Sequence, residues 1–260
     1  MKLDKTDILN NLIDPQKFNI TVLEETDSTN TMLKEIAKQG EAEGRIIIAD
    51  SQTGGRGRYD RKFHSPKGTG IYMSILLKPT LPASDSVLIT AAAAVAVCEA
   101  ILKVCGKETK IKWVNDLLLD GKKICGILTE GSLNIRNGGF NWAVLGLGVN
   151  VYEPECGFSE EIKNIAGALT GEKQENLRNR LCSEIINCFF DYYNDLESRA
   201  FLNVYRNKLC VLGERVAVIK NEETTEAVAL DIDNDCRLLV EYMSGEREYL
   251  SSGEISIKLK

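Results

Sequence analysis

The sequence predicts an α+β fold in which a mixed β-sheet flanked by helices is followed by a small β-barrel. Three observations predict it. Helical and extended hydrophobic periods alternate over residues 1–209. Strands joined by tight turns crowd residues 110–151. From residue 210 the pattern changes to five short strands, at 215–220, 225–232, 236–242, 247–250 and 254–259, which argues for a second, small domain spanning 210–260.

The elements follow in order. Residues 1–24 have room for one short helix. Asp27, Ser28, Thr29 and Asn30 offer N-cap side chains ahead of Met32, Leu33, Ile36 and Ala37, which form one apolar helical face, and Gly40 ends that helix. Arg45 to Asp50 is a β-branched run that reads as a buried strand, and a second strand runs from Ile71 to Leu77. Residues 86–105 form an alanine-rich helix, expected at the centre of the fold. Strands at 110–113, 117–119 and 122–132 come next, with Asp120-Gly121 as a tight hairpin turn. Asn137-Gly138-Gly139 turns the chain into a strand from Phe140 to Val151. Helices are expected over 160–170 and 175–205.

Charge and composition narrow the chemistry. Net charge is −6, and the tail from Arg206 carries eight bases and eleven acids, so general nucleic-acid binding is not expected. Residues 51–68 oppose this trend, with five bases against the single acid Asp60, and point to an anionic ligand. The start, MKLDKTDILN, lacks the apolar run of a signal peptide, and the longest apolar stretch, Val87 to Cys98, is short for a membrane span. Eight cysteines without a C-x-x-C pair read as reduced thiols of a cytoplasmic protein. One histidine, His64, builds neither a metal cluster nor a Ser-His-Asp triad by itself.

Four segments can carry chemistry. In Gln52-Thr53-Gly54-Gly55-Arg56-Gly57-Arg58-Tyr59-Asp60-Arg61-Lys62-Phe63, glycines permit close backbone approach, and arginines offer forked donors to carboxylate or phosphate. A solvated basic turn has the same composition. No Gly-Lys-Ser/Thr follows, so it is not a Walker A loop. Lys112-Trp113-Val114-Asn115-Asp116 places polar groups at a corner between apolar strands. Lys123 lies in the next strand; simple alternation points it to the face of Cys125, opposite Ile124, where a solvent-facing lysine is the plain alternative. Gly146 and Gly148 in a strongly apolar strand ending at Asn150 mark close approach by a ligand or by packing.

Taken in order, these segments resemble the biotin–protein ligase family, from about Glu25 to the C-terminus. The signatures are Asp27 to Asn30, Gln52 with Gly55-Arg56-Gly57-Arg58, Lys112 to Asp116, Gly121 to Leu128 and Gly146 to Asn150. Ser252 to Ser256 matches the family's closing barrel motif. The resemblance implies a class II synthetase-like catalytic domain and an SH3-like barrel. It also implies ATP with Mg²⁺, activation of biotin as biotinyl-5'-AMP, and transfer to a lysine of a biotin carboxyl carrier protein. It places Ser28, Thr29, Asn30 and Gln52 on the ureido head of biotin, with Arg56, Gly57 and Gly126 completing that site. Arg58 and Lys123 would meet the biotin carboxylate and the α-phosphate from opposite sides. Asp116 would contact biotin or take the proton of the incoming lysine. Arg61, Phe63, Asn115, Asn150 and Lys258 would serve the nucleotide. The sequence departs from the family pattern at Asp60 (usually Gly), Phe63 (usually Trp), Val114 (usually Pro) and Lys258 (often Arg).

Three other readings compete with this one. A lipoate- or octanoate-type transferase shares the expected fold but not the GRGR loop combined with K-W-x-N-D. A DNA-binding repressor needs an N-terminal helix-turn-helix of about 45 residues, and only 24 residues, a segment that is not basic overall, precede Glu25, so a short form without DNA binding is expected. A silent binding module would have no need to retain both Arg58 and Lys123. The resemblance is compatible with a monomer or a homodimer.

Overall fold

The computed structural model describes residues 2–59, 61–136, 138–220, 223–251 and 254–256, the last three by backbone alone. A seven-stranded mixed sheet is built from β1 (Asn19–Leu23), β2 (Arg45–Ala49), β3 (Gly70–Leu77), β4 (Lys110–Lys112), β5 (Asp116–Leu119), β6 (Lys122–Asn134) and β7 (Gly139–Asn150). Their spatial order is β1-β2-β3-β7-β6-β5-β4. Only β1 and β2 run parallel; the other neighbours are antiparallel. A second, five-stranded antiparallel sheet follows, formed by β8 (Arg215–Lys220), β9 (Glu223–Ile232), β10 (Leu238–Tyr242), β11 (Arg247–Leu250) and β12 (Glu254–Ser256).

Side-chain alternation along the strands gives the large sheet two unlike faces. Ile46, Ile48, Met73, Ile75, Leu145, Leu147 and Val149 enter the main core beneath α3 (Ser86–Cys105) and α4 (Leu177–Tyr193). Ile47, Leu76 and Val144 point the other way and pack with Leu33 and Ala37 of α2 (Thr29–Lys38). Helix α3 is buried from Leu88 through Cys98, and its alanines let its backbone approach the sheet closely. The helical stretch Ala83–Cys105 is long and apolar enough to cross a membrane, yet 72% of its apolar window is buried inside the fold, as suits a core helix.

Asp120 and Gly121, both at positive φ, turn β5 into β6 as the sequence predicts. The expected helix over 160–170 is absent. Turns occupy 160–165, and the backbone then pairs with strand ends: Lys123 N donates to Ile165 O, Gly167 N to Lys123 O, and Leu169 N to Asn150 O. Local turn bonds such as Lys163 N to Ser159 O serve the first part of this segment, and sheet partners distant in sequence take the bonds of the rest. The helix expected over 175–205 breaks into α4, a 3₁₀ turn at Leu196–Ser198, and α5 (Leu202–Lys208), with Arg199 at φ 54° between the last two. Before β1 come a short helix, α1 (Lys5–Asn10), capped by the Asp4 carboxylate, and a 3₁₀ turn at Pro15–Lys17.

The cysteines form no disulfide, and five of the eight are buried. Burial holds the Cys98 thiol up at about 11, which agrees with reduced, inert side chains.

Candidate active site

The site lies on the α2 face of the large sheet, because the strand period sends particular residues there. On β3 these are Tyr72 and Ser74; on β7 they are Gly146 and Gly148; on β6 they are Gly126 and Glu130. Ser28 caps α2, its hydroxyl accepting from Thr31 N. This fixes Thr29 and Asn30, both nearly buried, in the first turn above the sheet. Gln52 Oε1 accepts from Thr29 N at 2.9 Å and from Thr29 Oγ1 at 3.2 Å, while its Nε2 donates to Ser65 Oγ at 3.0 Å. Ser74 Oγ donates to Asn30 Oδ1 at 2.5 Å. Gly146 leaves the space that this carboxamide fills, since a Cβ there would run into it.

The glycine-arginine segment folds as a narrow antiparallel hairpin. Phe63 N donates to Gly55 O, Arg56 pairs with Lys62, and Gly57 N donates to Arg61 O. Positions 56 and 58 then share one side of the hairpin, as residues two apart do in a strand. Arg56 Nη1 meets Glu130 at 3.1 and 3.3 Å, and Arg58 Nη1 meets Asn115 Oδ1 at 3.2 Å. Arg61 stays exposed on the outer turn, and only its main chain joins the hairpin to Gly57 and Arg58. Asp60 and Lys258 lie outside the described residues.

Lys123 corrects the expectation from alternation. The β5–β6 register shifts at Leu117/Leu118, and the adjacent residues Ile124 and Cys125 both enter the apolar core. This bulge re-aims Lys123 to the face of Gly126 rather than that of Cys125, so a Cβ on Gly126 would sit 3.2 Å from the ammonium. Lys123 Nζ pairs with Asp116 Oδ1 at 2.6 Å. Asn115 Nδ2 donates to Ile127 O at 2.7 Å, holding its Oδ1 toward Arg58. The two predicted cations therefore touch consecutive residues, Asn115 and Asp116.

Gly126 and Gly148 are direct cross-strand partners. Together they form a patch without side chains, and the Phe63 ring lies on it: Cβ atoms there would approach the ring to 3.2 and 2.5 Å. Tyr72 meets the Phe63 ring edge-on at 6.4 Å between centroids. Asn150 Nδ2 donates to Gly167 O at 3.0 Å, at the end of this bed. Among the described residues no group of three His, Cys, Asp or Glu side chains could hold a metal.

Sequence reasoning missed Lys34, Ser65, Ser74 and Glu130, which complete these networks. Ser74 carries a signal in hindsight, as the polar residue of the otherwise apolar run Ile71 to Leu77. Glu130 and Lys34 carry none, because a charged residue in a strand or a helix usually faces solvent.

Comparison with known proteins identifies the family and the fold. The Biotin/lipoate A/B protein ligase family matches residues 22–150, and the Biotin protein ligase C terminal domain matches residues 211–258. A Bifunctional ligase/repressor BirA of Bacillus spizizenii is 34% identical over 229 residues, covering 86% of this chain and 70% of that protein. A Biotin--[acetyl-CoA-carboxylase] ligase of Mycobacterium tuberculosis is 27% identical over 243 residues, covering 91% of this chain and 88% of that protein. The structure of a biotin protein ligase from Aquifex aeolicus in complex with biotin and ATP superposes with a TM-score of 0.74 at 25% identity, covering 93% of this chain and 99% of that one. With both family models matched and a relative 34% identical over most of its length, the chain belongs to the biotin–protein ligase family.

Proposed function

We propose that Arg58 and Lys123 are the charge-stabilising pair of an ATP-dependent biotin–protein ligase, with Asp116 beside them. The observation that carries this assignment is their attachment to the consecutive residues Asn115 and Asp116 at the edge of the glycine bed. In the first step a biotin carboxylate oxygen attacks the α-phosphorus of ATP; that P–O bond forms as the bond to pyrophosphate breaks. Both reactants are anions, so fixed positive charge where negative charge accumulates lowers the barrier. In the second step a neutral lysine amine attacks the acyl carbon, AMP leaves, and the amine's proton passes to a nearby carboxylate, the role given to Asp116.

The remaining roles follow by place. Ser28, Thr29, Asn30 and Gln52 bind the ureido head, with Arg56, Gly57 and Gly126 completing that pocket. Phe63, Asn115 and Asn150 line the nucleotide side, and Arg61 joins them if the hairpin turns inward on binding. The described side chains make no cage for Mg²⁺. Such an ion is commonly carried by substrate phosphates with one or two carboxylates, and no step here is routed through it. We assign residues 1–209 to catalysis and 210–260 to the small domain. The acceptor is the carrier protein of a biotin-dependent carboxylase, met in the cytoplasm, and no DNA partner is assigned. Titration calorimetry tests the ligand: heat with biotin and none with lipoate is expected, and the reverse overturns the assignment.

A further inference from the structure

Glu130 sits on β6, and its carboxylate gathers three donors from two separate segments, α2 and the glycine hairpin. Lys34 Nζ of α2 is 2.7 Å from Oε1, Asn30 Nδ2 is 3.1 Å from Oε2, and Arg56 of the hairpin reaches both oxygens. Burial alone would raise the pKa of this carboxyl. The hydrogen bonds from Lys34 and Asn30 and the charges of Lys34 and Arg56 outweigh burial and hold it below 4.5, so it is ionised at neutral pH.

Lys34 already balances Glu130 in charge, and both side chains are about one-fifth exposed, at 21% and 22%. Arg56 is a second cation on the same carboxylate, and of the three donors it alone belongs to the glycine hairpin. Arg58, on the same side of that hairpin, is fastened to Asn115 at the β4–β5 corner. The hairpin is thus pinned at two points, to β6 through Arg56 and to the corner through Arg58. Phe63, paired with Gly55 at the hairpin's base, lies across Gly126 and Gly148. Only the Arg56 point rests on a residue with no assigned contact to either substrate.

We propose that Glu130 is a positioning residue that clamps the glycine hairpin over the ligand bed through Arg56 and so shields the activated acyl group from water. The proposal rests on the adenylation reading given above. The reaction it suppresses is hydrolysis of the mixed anhydride: water oxygen bonds to the acyl carbon, the acyl–O–P bond breaks, AMP leaves, and biotin is regenerated. A clamp made by the protein itself holds the hairpin before any ligand arrives, so its loss should show in the ligand-free chain as well.

The test compares wild type, Glu130→Gln, Arg56→Ala, the double variant and Lys34→Met in the full chain. Without ligands, tryptic cleavage after Arg58 and Arg61 should be about fivefold faster in Glu130→Gln and unchanged in Lys34→Met, because cleavage follows the opened population. With biotin and ATP but no acceptor, the ratio of AMP release to pyrophosphate exchange should rise by a similar factor in Glu130→Gln and in Arg56→Ala. The double variant should rise no further, since both changes remove one contact. Wild-type cleavage and leakage in Glu130→Gln, additive effects in the double variant, or equal loosening by Lys34→Met overturns the clamp. Absence of biotin-dependent exchange in wild type refutes the adenylation reading instead, and the cleavage comparison still decides the clamp.

Discussion

At the scale of single residues, the candidate site holds a few charges through named neighbours, Arg58 on Asn115 and Lys123 on Asp116. Lys123 reaches its place through a one-residue bulge, and Arg58 through an asparagine whose amide is fixed on Ile127 O. Removing either cation leaves two anionic reactants without half of their compensation. Arg58→Ala or Lys123→Ala is expected to slow biotin-dependent adenylation on the order of 10²-fold or more, as loss of one electrostatic stabiliser does; exchange kinetics measure it, and near-normal rates in both variants refute the assignment. Glu130 gives a stability prediction with a definite sign. Its carboxyl is held below 4.5 in the fold, so its stabilisation is complete above that pH and fades as pH falls through the folded value. The gap in unfolding free energy between wild type and Glu130→Gln should be flat above pH 4.5 and shrink below it, as urea melts at stepped pH would show. Arg58 stood out in the sequence within a glycine-rich basic segment, whereas Lys123 was singled out by the family resemblance, since a strand lysine usually faces solvent. Glu130 was not, since its partners Asn30, Lys34 and Arg56 lie 100, 96 and 74 residues away.

At the scale of elements, Gly146 and Gly148 of β7 exchange strand stability for space. Gly146 admits the Asn30 carboxamide and Gly148 admits the Phe63 ring. Gly146→Ala forces a methyl into a buried, hydrogen-bonded amide and is expected to cost about 1–3 kcal/mol by denaturant melting, together with weaker biotin binding. An unchanged melt would place Asn30 elsewhere. The sequence marked these glycines as points of close approach and could not tell ligand from packing. The structure shows a side chain of this same chain at each. Strand and helix cores were legible from periodicity, as in β3, α2 and α3. The segment 159–170 was not, because its backbone pairs with residues far away in sequence at the ends of β6 and β7. The bulge at Lys123 was equally hidden: alternation assumes an unbroken register.

At the scale of the whole molecule, the small C-terminal domain is wired to the β4–β5 corner both directly and through α5. Trp113 Nε1 donates to Cys236 O at 2.9 Å, and Tyr205 Oη donates to Val114 O at 2.9 Å, both buried and both within the segment that bears Asn115 and Asp116. Arg206 adds Asp231 and the Ile232 carbonyl. Trp113→Phe leaves the Cys236 carbonyl unpaired in the interior, and a loss of about 1–3 kcal/mol is expected. Adenylation should fall with it, because the corner that holds Arg58 and Lys123 loosens; stability lost with full activity retained would separate the two domains functionally. The central claim is that two cations from distant segments serve one pair of anionic substrates. Exchange of labelled pyrophosphate into ATP tests it most directly. Label should enter ATP when biotin is present, stay out when lipoate replaces it, and fall on the order of 10²-fold in Arg58→Ala and Lys123→Ala. Exchange without biotin, or undiminished exchange in both variants, contradicts the account.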